Sequence, residues 1–174
     1  MASYYYLAAS LPTLTTDGEM PIDYETFLTC CQGNMSESKY QLLKDLTLSS
    51  TEGPLIKEWS VFYTNLMKEL NNQRSARLGK SYPASYDKDP GAQAVVSAAL
   101  SAKNPLEAEK ILLDYEFDYL DTLTGLHVFD DYVIFGYAIK LKLLERRNCF
   151  THDKGEAEFT NLFTQVQQRV LNLE

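Results

Sequence analysis

Residues 104–148, NPLEAEKILLDYEFDYLDTLTGLHVFDDYVIFGYAIKLKLLERRN, decide the fold of this chain. They read as two amphipathic helices joined by a short turn. Asn104 offers a side-chain oxygen as helix cap, Pro105 suits the first helical position, and Glu107 stands three residues past the cap. Leu106, Leu113, Phe117 and Leu120 then recur at helical spacing, and Gly125 supplies a stop. The second helix has Asp130 and Asp131 at its start and Lys140, Lys142, Arg146 and Arg147 toward its end, an order that complements the helix dipole.

The same signals extend outward from this pair. Asp23 to Gln32 reads as a short helix stopped by Gly33, with Phe27, Leu28 and Cys31 as its inner stripe. Ser36 caps a second short helix carrying Tyr40, Leu43 and Leu46. From Pro54 to Leu78, Leu55, Trp59, Phe62, Tyr63, Leu66 and Leu70 repeat at the helical period, and Gly79 closes the longest helix of the chain. Asp89 and Pro90 open an alanine-rich helix running to Ala102. A last helix starts at Asp153, which makes a capping-box spacing with Glu156. Its apolar face holds Phe159, Leu162, Phe163, Val166 and Val170. In residues 4–12 the tyrosines favour a strand and the alanines a helix, so both remain open there.

These readings give an all-α fold of about seven helices with one long central helix. A single domain spans residues 1–174, divisible into two lobes, 1–80 and 89–174, joined by a linker at 80–88. Trp59, Phe62, Leu66, Leu113, Phe117, Leu120, Val133, Tyr137 and Leu141 are the expected core.

Composition narrows the function. Twelve Tyr and 8 Phe among 174 residues are too much aromatic weight for a disordered chain. A net charge of -8 disfavours broad binding to nucleic acid or to anionic lipid. No apolar run is long enough for a transmembrane helix, and the N-terminus lacks the cationic flank of a secretory signal. Three cysteines, two of them adjacent as Cys30 and Cys31, make a poor disulfide framework and point to a reducing, cytoplasmic setting.

Chemistry-bearing clusters are few. His127 precedes Asp130 and Asp131, a spacing that fits helix capping better than metal or acid–base work, and His152 has no matched partner. Neighbouring cysteines on a helix point about 100° apart, so Cys30 and Cys31 read as small hydrophobes rather than a redox pair. Asp114, Glu116, Asp118 and Asp121 read as a solvated acidic face. No catalytic residue, metal, cofactor or small-molecule substrate is expected. Arg74 and Arg77 on one helix, and Lys140, Arg146 and Arg147 on another, are the candidate partner-binding residues. Their competing role is dipole complementation with salt bridges to the acidic helix.

Three segments carry a family resemblance: the opening YYYLAASLP, the helix end NNQRSARLG (with Asn71, Arg74, Arg77, Leu78 and Gly79), and the block 104–148. In that block Asn104, Pro105, Leu106, Glu109, Phe129, Tyr137, Lys140, Leu141, Glu145 and Arg146 carry the pattern. Together they resemble an uncharacterised bacterial family encoded with V-type ATP synthase genes, itself similar to the C-type central-stalk subunit of the rotary ATPases (the d-type subunit in eukaryotes). The likeness covers most of the chain, with residues 17–52 adding little. It implies a non-enzymatic, C-like component or assembly factor of an ion- or proton-transporting motor. Its partners would be the central shaft and the membrane rotor ring, and its location cytoplasmic, peripheral to the inner membrane through the complex. The C-type subunit proper is longer and has three similar lobes. The rival expectation is a helical adaptor unrelated to the motor.

Overall fold

The computed structural model describes residues 4–83, 85–149 and 152–171, the side chains of 152–154 and 169–171 excepted. Among the described residues every regular element is a helix: α1 (Tyr5–Ser10), α2 (Tyr24–Cys31), α3 (Glu37–Lys44), α4 (Ile56–Arg77), α5 (Pro90–Leu100), α6 (Pro105–Thr124), α7 (Asp131–Arg147) and α8 (His152–Leu171). Residues 5–10 are helical, which resolves the choice left open at the N-terminus and adds the eighth helix.

Local capping sets several of the boundaries. Asn104 Oδ1 accepts from Glu107 N at 2.8 Å, and Glu107 Oε2 accepts from Lys103 N at 3.2 Å, tying both sides of the α6 start. Asp89 accepts from Gly91 N and Ala92 N at α5, and Asp130 from Tyr132 N and Val133 N at α7. Ser36 stands at the α3 N-cap but caps nothing, since its hydroxyl lies 3.3 Å from that of Ser38. α4 ends on Gly79 at φ 67, where Lys80 N reaches Ser75 O at 2.9 Å. It begins two residues later than Pro54, after a turn that holds Leu55 at φ 62. That backbone strain is offset by burial of the Leu55 side chain. α8 begins at His152, so Asp153 lies inside the helix rather than at its cap; its side chain, like those of His152 and Val170, lies outside the described residues.

Length does not single out one shaft. α4 has 22 residues, α6 and α8 have 20 each, and α7 has 17. The helix at the centre is α7, which buries Ile134, Phe135, Gly136, Ala138, Ile139, Leu141, Leu143 and Leu144. These residues point all round the axis, and a helix apolar on every side has to be enclosed. Gly136 allows the enclosure to be close: a Cβ there would meet the Thr124 methyl at 2.7 Å and Leu55 at 3.6 Å.

The core forms two clusters. The larger joins α1, α2 and α3 to the first turns of α4 (Leu55, Ile56, Trp59), the later part of α6 (Leu113, Phe117, Leu120) and α7. The smaller joins Leu66 and Leu70 of α4 to Ala92, Val96 and Ala99 of α5 and Leu112 of α6. Phe62 packs against both, stacked on Tyr119 with ring centroids 3.7 Å apart. The expected single core is therefore divided. Leu66 belongs to the second cluster, and Val133 is only half-buried. Because α4 and α6 serve both clusters, the division crosses these helices and not segment 80–88. That segment is pinned to α4, with the Tyr86 hydroxyl donating to the buried Glu69 at 2.7 Å and Lys68 Nζ to Ser85 O at 3.3 Å.

Candidate functional site

The five basic residues with a partner-binding expectation do not converge. Arg146, at the end of α7, is spent inside the fold: Nε donates to Glu109 at 2.5 Å, and the two terminal nitrogens donate to Glu116 at 3.0 and 2.5 Å. Glu109 is 7% exposed and Glu116 is 0%. Glu116 is therefore not on a solvated face, which corrects that expectation, and Arg146 makes the internal salt bridges that were its competing role. The cause is periodicity. Glu109, Leu113, Glu116 and Leu120 follow each other at four, three and four residues, so both carboxylates ride the buried stripe of α6. Burial raises the Glu116 pKa, Arg146 opposes that rise through hydrogen bonds and charge, and Glu109 adds to it. Burial also works against the Arg146 charge, but the two carboxylates outweigh it and hold the guanidinium protonated. The Tyr63 ring of α4 lies within reach of the same charges, and its hydroxyl pKa is raised chiefly by burial.

Three of the other four are also engaged. Lys140 pairs with Asp121 at 2.6 Å and sits 5.0 Å from the Phe117 ring centroid. Arg147 donates to Thr16 O at 2.7 Å, holding the 11–23 loop against the end of α7. Arg77 donates to Leu100 O and to the Ser101 hydroxyl, tying the end of α4 to the end of α5. Arg74 is exposed, and its side chain makes no hydrogen bond or ion pair among the described residues.

The remaining candidates take structural places. His127 Nδ1 lies 2.5 Å from Asp130 Oδ2, and its ring stacks on Tyr132 at 4.2 Å, which steadies the α6–α7 turn. His127 lines neither the groove between the 16–20 loop and the start of α6 nor the one between α4 and Tyr115 and Tyr119 of α6. Cys31 is buried, with its thiol pushed up to about 12 by that burial and by Cys30. Among the described residues, no group of three or more His, Cys, Asp or Glu is placed to hold a metal ion. No described helix is long and apolar enough to cross a membrane.

Two exposed apolar surfaces stand out among the described residues. The first lies where α1 meets the α6–α7 turn. Tyr4 N donates to Phe129 O at 2.9 Å, and the rings of Tyr6, Tyr5 and Phe129 meet edge to face at 5.4 and 4.7 Å. Tyr5 is 52% exposed, Tyr6 86%, Leu126 96% and Val128 63%. The charges beside them are paired internally, Lys39 with Asp131 at 2.6 Å and His127 with Asp130, so the surface is apolar and electrically balanced. Reasoning from sequence passed over Leu126 and Val128. The available signal is that GLHVF puts three apolar residues into a turn, where polar ones are the rule.

The second surface is α8. Phe159, Leu162, Phe163 and Val166 are 70%, 60%, 53% and 57% exposed, so this part of the face legible in the sequence stands open among the described residues. Comparison of the chain with protein-family models, curated proteins and solved structures gave no match.

Proposed function

We propose that this protein is a non-catalytic helical component that works by docking to other proteins. We place it with a V-type ATP synthase, as a C-like central-stalk component or an assembly factor. The setting rests on the resemblance carried by the 104–148 block and the two shorter segments. The docking rests on one observation, the apolar surface of Tyr5, Tyr6, Leu126 and Val128 standing open on a well-packed body. A large apolar surface of this kind on a soluble protein marks an interaction site. Its partner is an apolar helical surface of the central shaft or of a rotor-ring-proximal subunit, met in the cytoplasm at the inner membrane without insertion of this chain into lipid.

The mechanism is mechanical. α7 is enclosed by packed side chains on every side and runs from the docking surface to the Arg146 ion pairs. Close-packed interiors deform little, so force applied at one end of α7 passes to the elements around the other. The test is co-purification of the ATPase subunits with a Tyr6→Glu, Leu126→Glu variant. Both side chains are exposed, so the melting temperature should hold while co-purification falls at least tenfold. Unchanged co-purification would remove this surface from the account.

A further inference from the structure

The apolar stripe of α8 has a symmetry that the docking proposal does not use. Its four described apolar side chains, Phe159, Leu162, Phe163 and Val166, are spaced evenly about the point between 162 and 163. An antiparallel copy of the same helix therefore sets Phe159 against Val166 of its mate and Leu162 against Phe163. Each contact joins a larger side chain to a smaller one, and the surface is complementary to itself, as a two-fold interface requires. From these positions we propose that α8 is a self-association helix, pairing two copies of this chain antiparallel through this stripe.

Charge supports a second copy as the occupant. The chain carries a net charge of -8, yet Phe159 through Gln168 contains no charged residue, so two stripes approach without like-charge repulsion. The same neutrality leaves no cations along the stripe for an anionic lipid surface. Glu158 and Arg169 bracket the stripe. They are eleven positions apart, about three helical turns, and so share one flank. A two-fold pair brings like flanks together, and the antiparallel register then sets the helix position of Arg169 beside Glu158 of the mate. Phe159 and Phe163 are already stacked with ring centroids 6.3 Å apart, presenting a continuous aromatic ridge.

Area sets the strength. The four side chains leave roughly 400 Å² exposed per copy, taking about 200 Å² for a free Phe. The pair then buries roughly 800 Å², below the ~1,200–2,000 Å² of stable complexes. The dimer is therefore weak and concentration-dependent, with a dissociation constant on the order of 0.1 mM.

Sedimentation equilibrium of the full chain, across roughly 10 μM to 1 mM and bracketing that constant, tests the inference. The expected result is a shift from monomer to dimer across this range. Phe163→Glu should abolish it with an unchanged circular dichroism spectrum, because the side chain is exposed in the monomer. Glu158→Arg should weaken association at least threefold, and adding Arg169→Glu should restore it. A monomer throughout overturns the proposal, as does association that survives Phe163→Glu. Indifference to the charge reversal, or a monomer that binds neutral phosphatidylcholine vesicles through α8, overturns it equally. The proposal does not depend on the V-type setting, and loss of ATPase co-purification leaves this measurement untouched.

Discussion

Replacing Arg146 with alanine should cost far more than its position at a helix end suggests. Its guanidinium is the common partner of two carboxylates, one 7% and one 0% exposed, and its own side chain is 22% exposed. The substitution leaves Glu109 and Glu116 facing each other with no cation between them. Breaking a buried ion pair from one side costs about 3–5 kcal/mol, because the stranded charge cannot regain its water. For a chain of this size each kcal/mol moves the melting temperature by about 2–4 °C, so a fall of about 6–20 °C is expected. The pH dependence gives a sharper test. Glu116 has its pKa raised in the folded state, so the folded protein binds its proton more readily than the unfolded chain. Stability from this group is therefore present at acidic pH and lost as pH rises through the raised value. Arg146 is the group that restrains that rise. Without it the window widens upward, and the deficit of the variant should grow from about pH 4 to pH 8 and shrink toward the ordinary carboxylate pKa of about 4.3. Melting curves of wild type and Arg146→Ala across that range are the assay. Adding Glu116→Gln should recover at least half of the loss at pH 8. A loss under about 2 °C that does not change with pH would refute the buried triad and return Arg146 to the surface.

Other consequences follow from the same packing. Phe117→Ala opens a cavity between α6 and α7 under the Lys140 chain, and chemical denaturation should show a loss of about 3–5 kcal/mol. Alkylation with iodoacetamide at pH 8 should label the exposed Cys149 and leave Cys31, with its thiol near 12, unmodified until the protein unfolds. His127→Ala removes the Asp130 contact and the Tyr132 stack, so it should lower the melting temperature slightly and leave co-purification with partners intact.

Features decided within a few residues were legible before any coordinates. The caps at Asn104, Asp89 and Asp130, and the glycine stops at Gly33 and Gly79, are local chemistry, and each holds in the structure. Ser36 shows the limit of such rules, because its hydroxyl took another partner. Features decided by distant partners were not legible. Glu116 looks like a surface acid until Arg146, thirty residues away, is set beside it. Its place between Leu113 and Leu120 on one stripe was the available clue. Placing α4 as the central helix failed for a related reason. Length was read as centrality, whereas centrality follows from apolar residues on every side, a property of α7. The face of α8 was read correctly as apolar. That it stands open among the described residues was not legible, because periodicity marks a face as apolar without saying what packs on it.

The central claim is that this chain acts by assembling with a V-type ATP synthase, and capture of its partners tests that most directly. Affinity purification of the tagged protein from native membranes, read by quantitative mass spectrometry, should enrich central-shaft and rotor-ring subunits over an untagged control. It should do so reproducibly and in comparable amounts. Capture without any ATPase subunit would contradict the account, leaving a helical adaptor whose partners belong to another assembly.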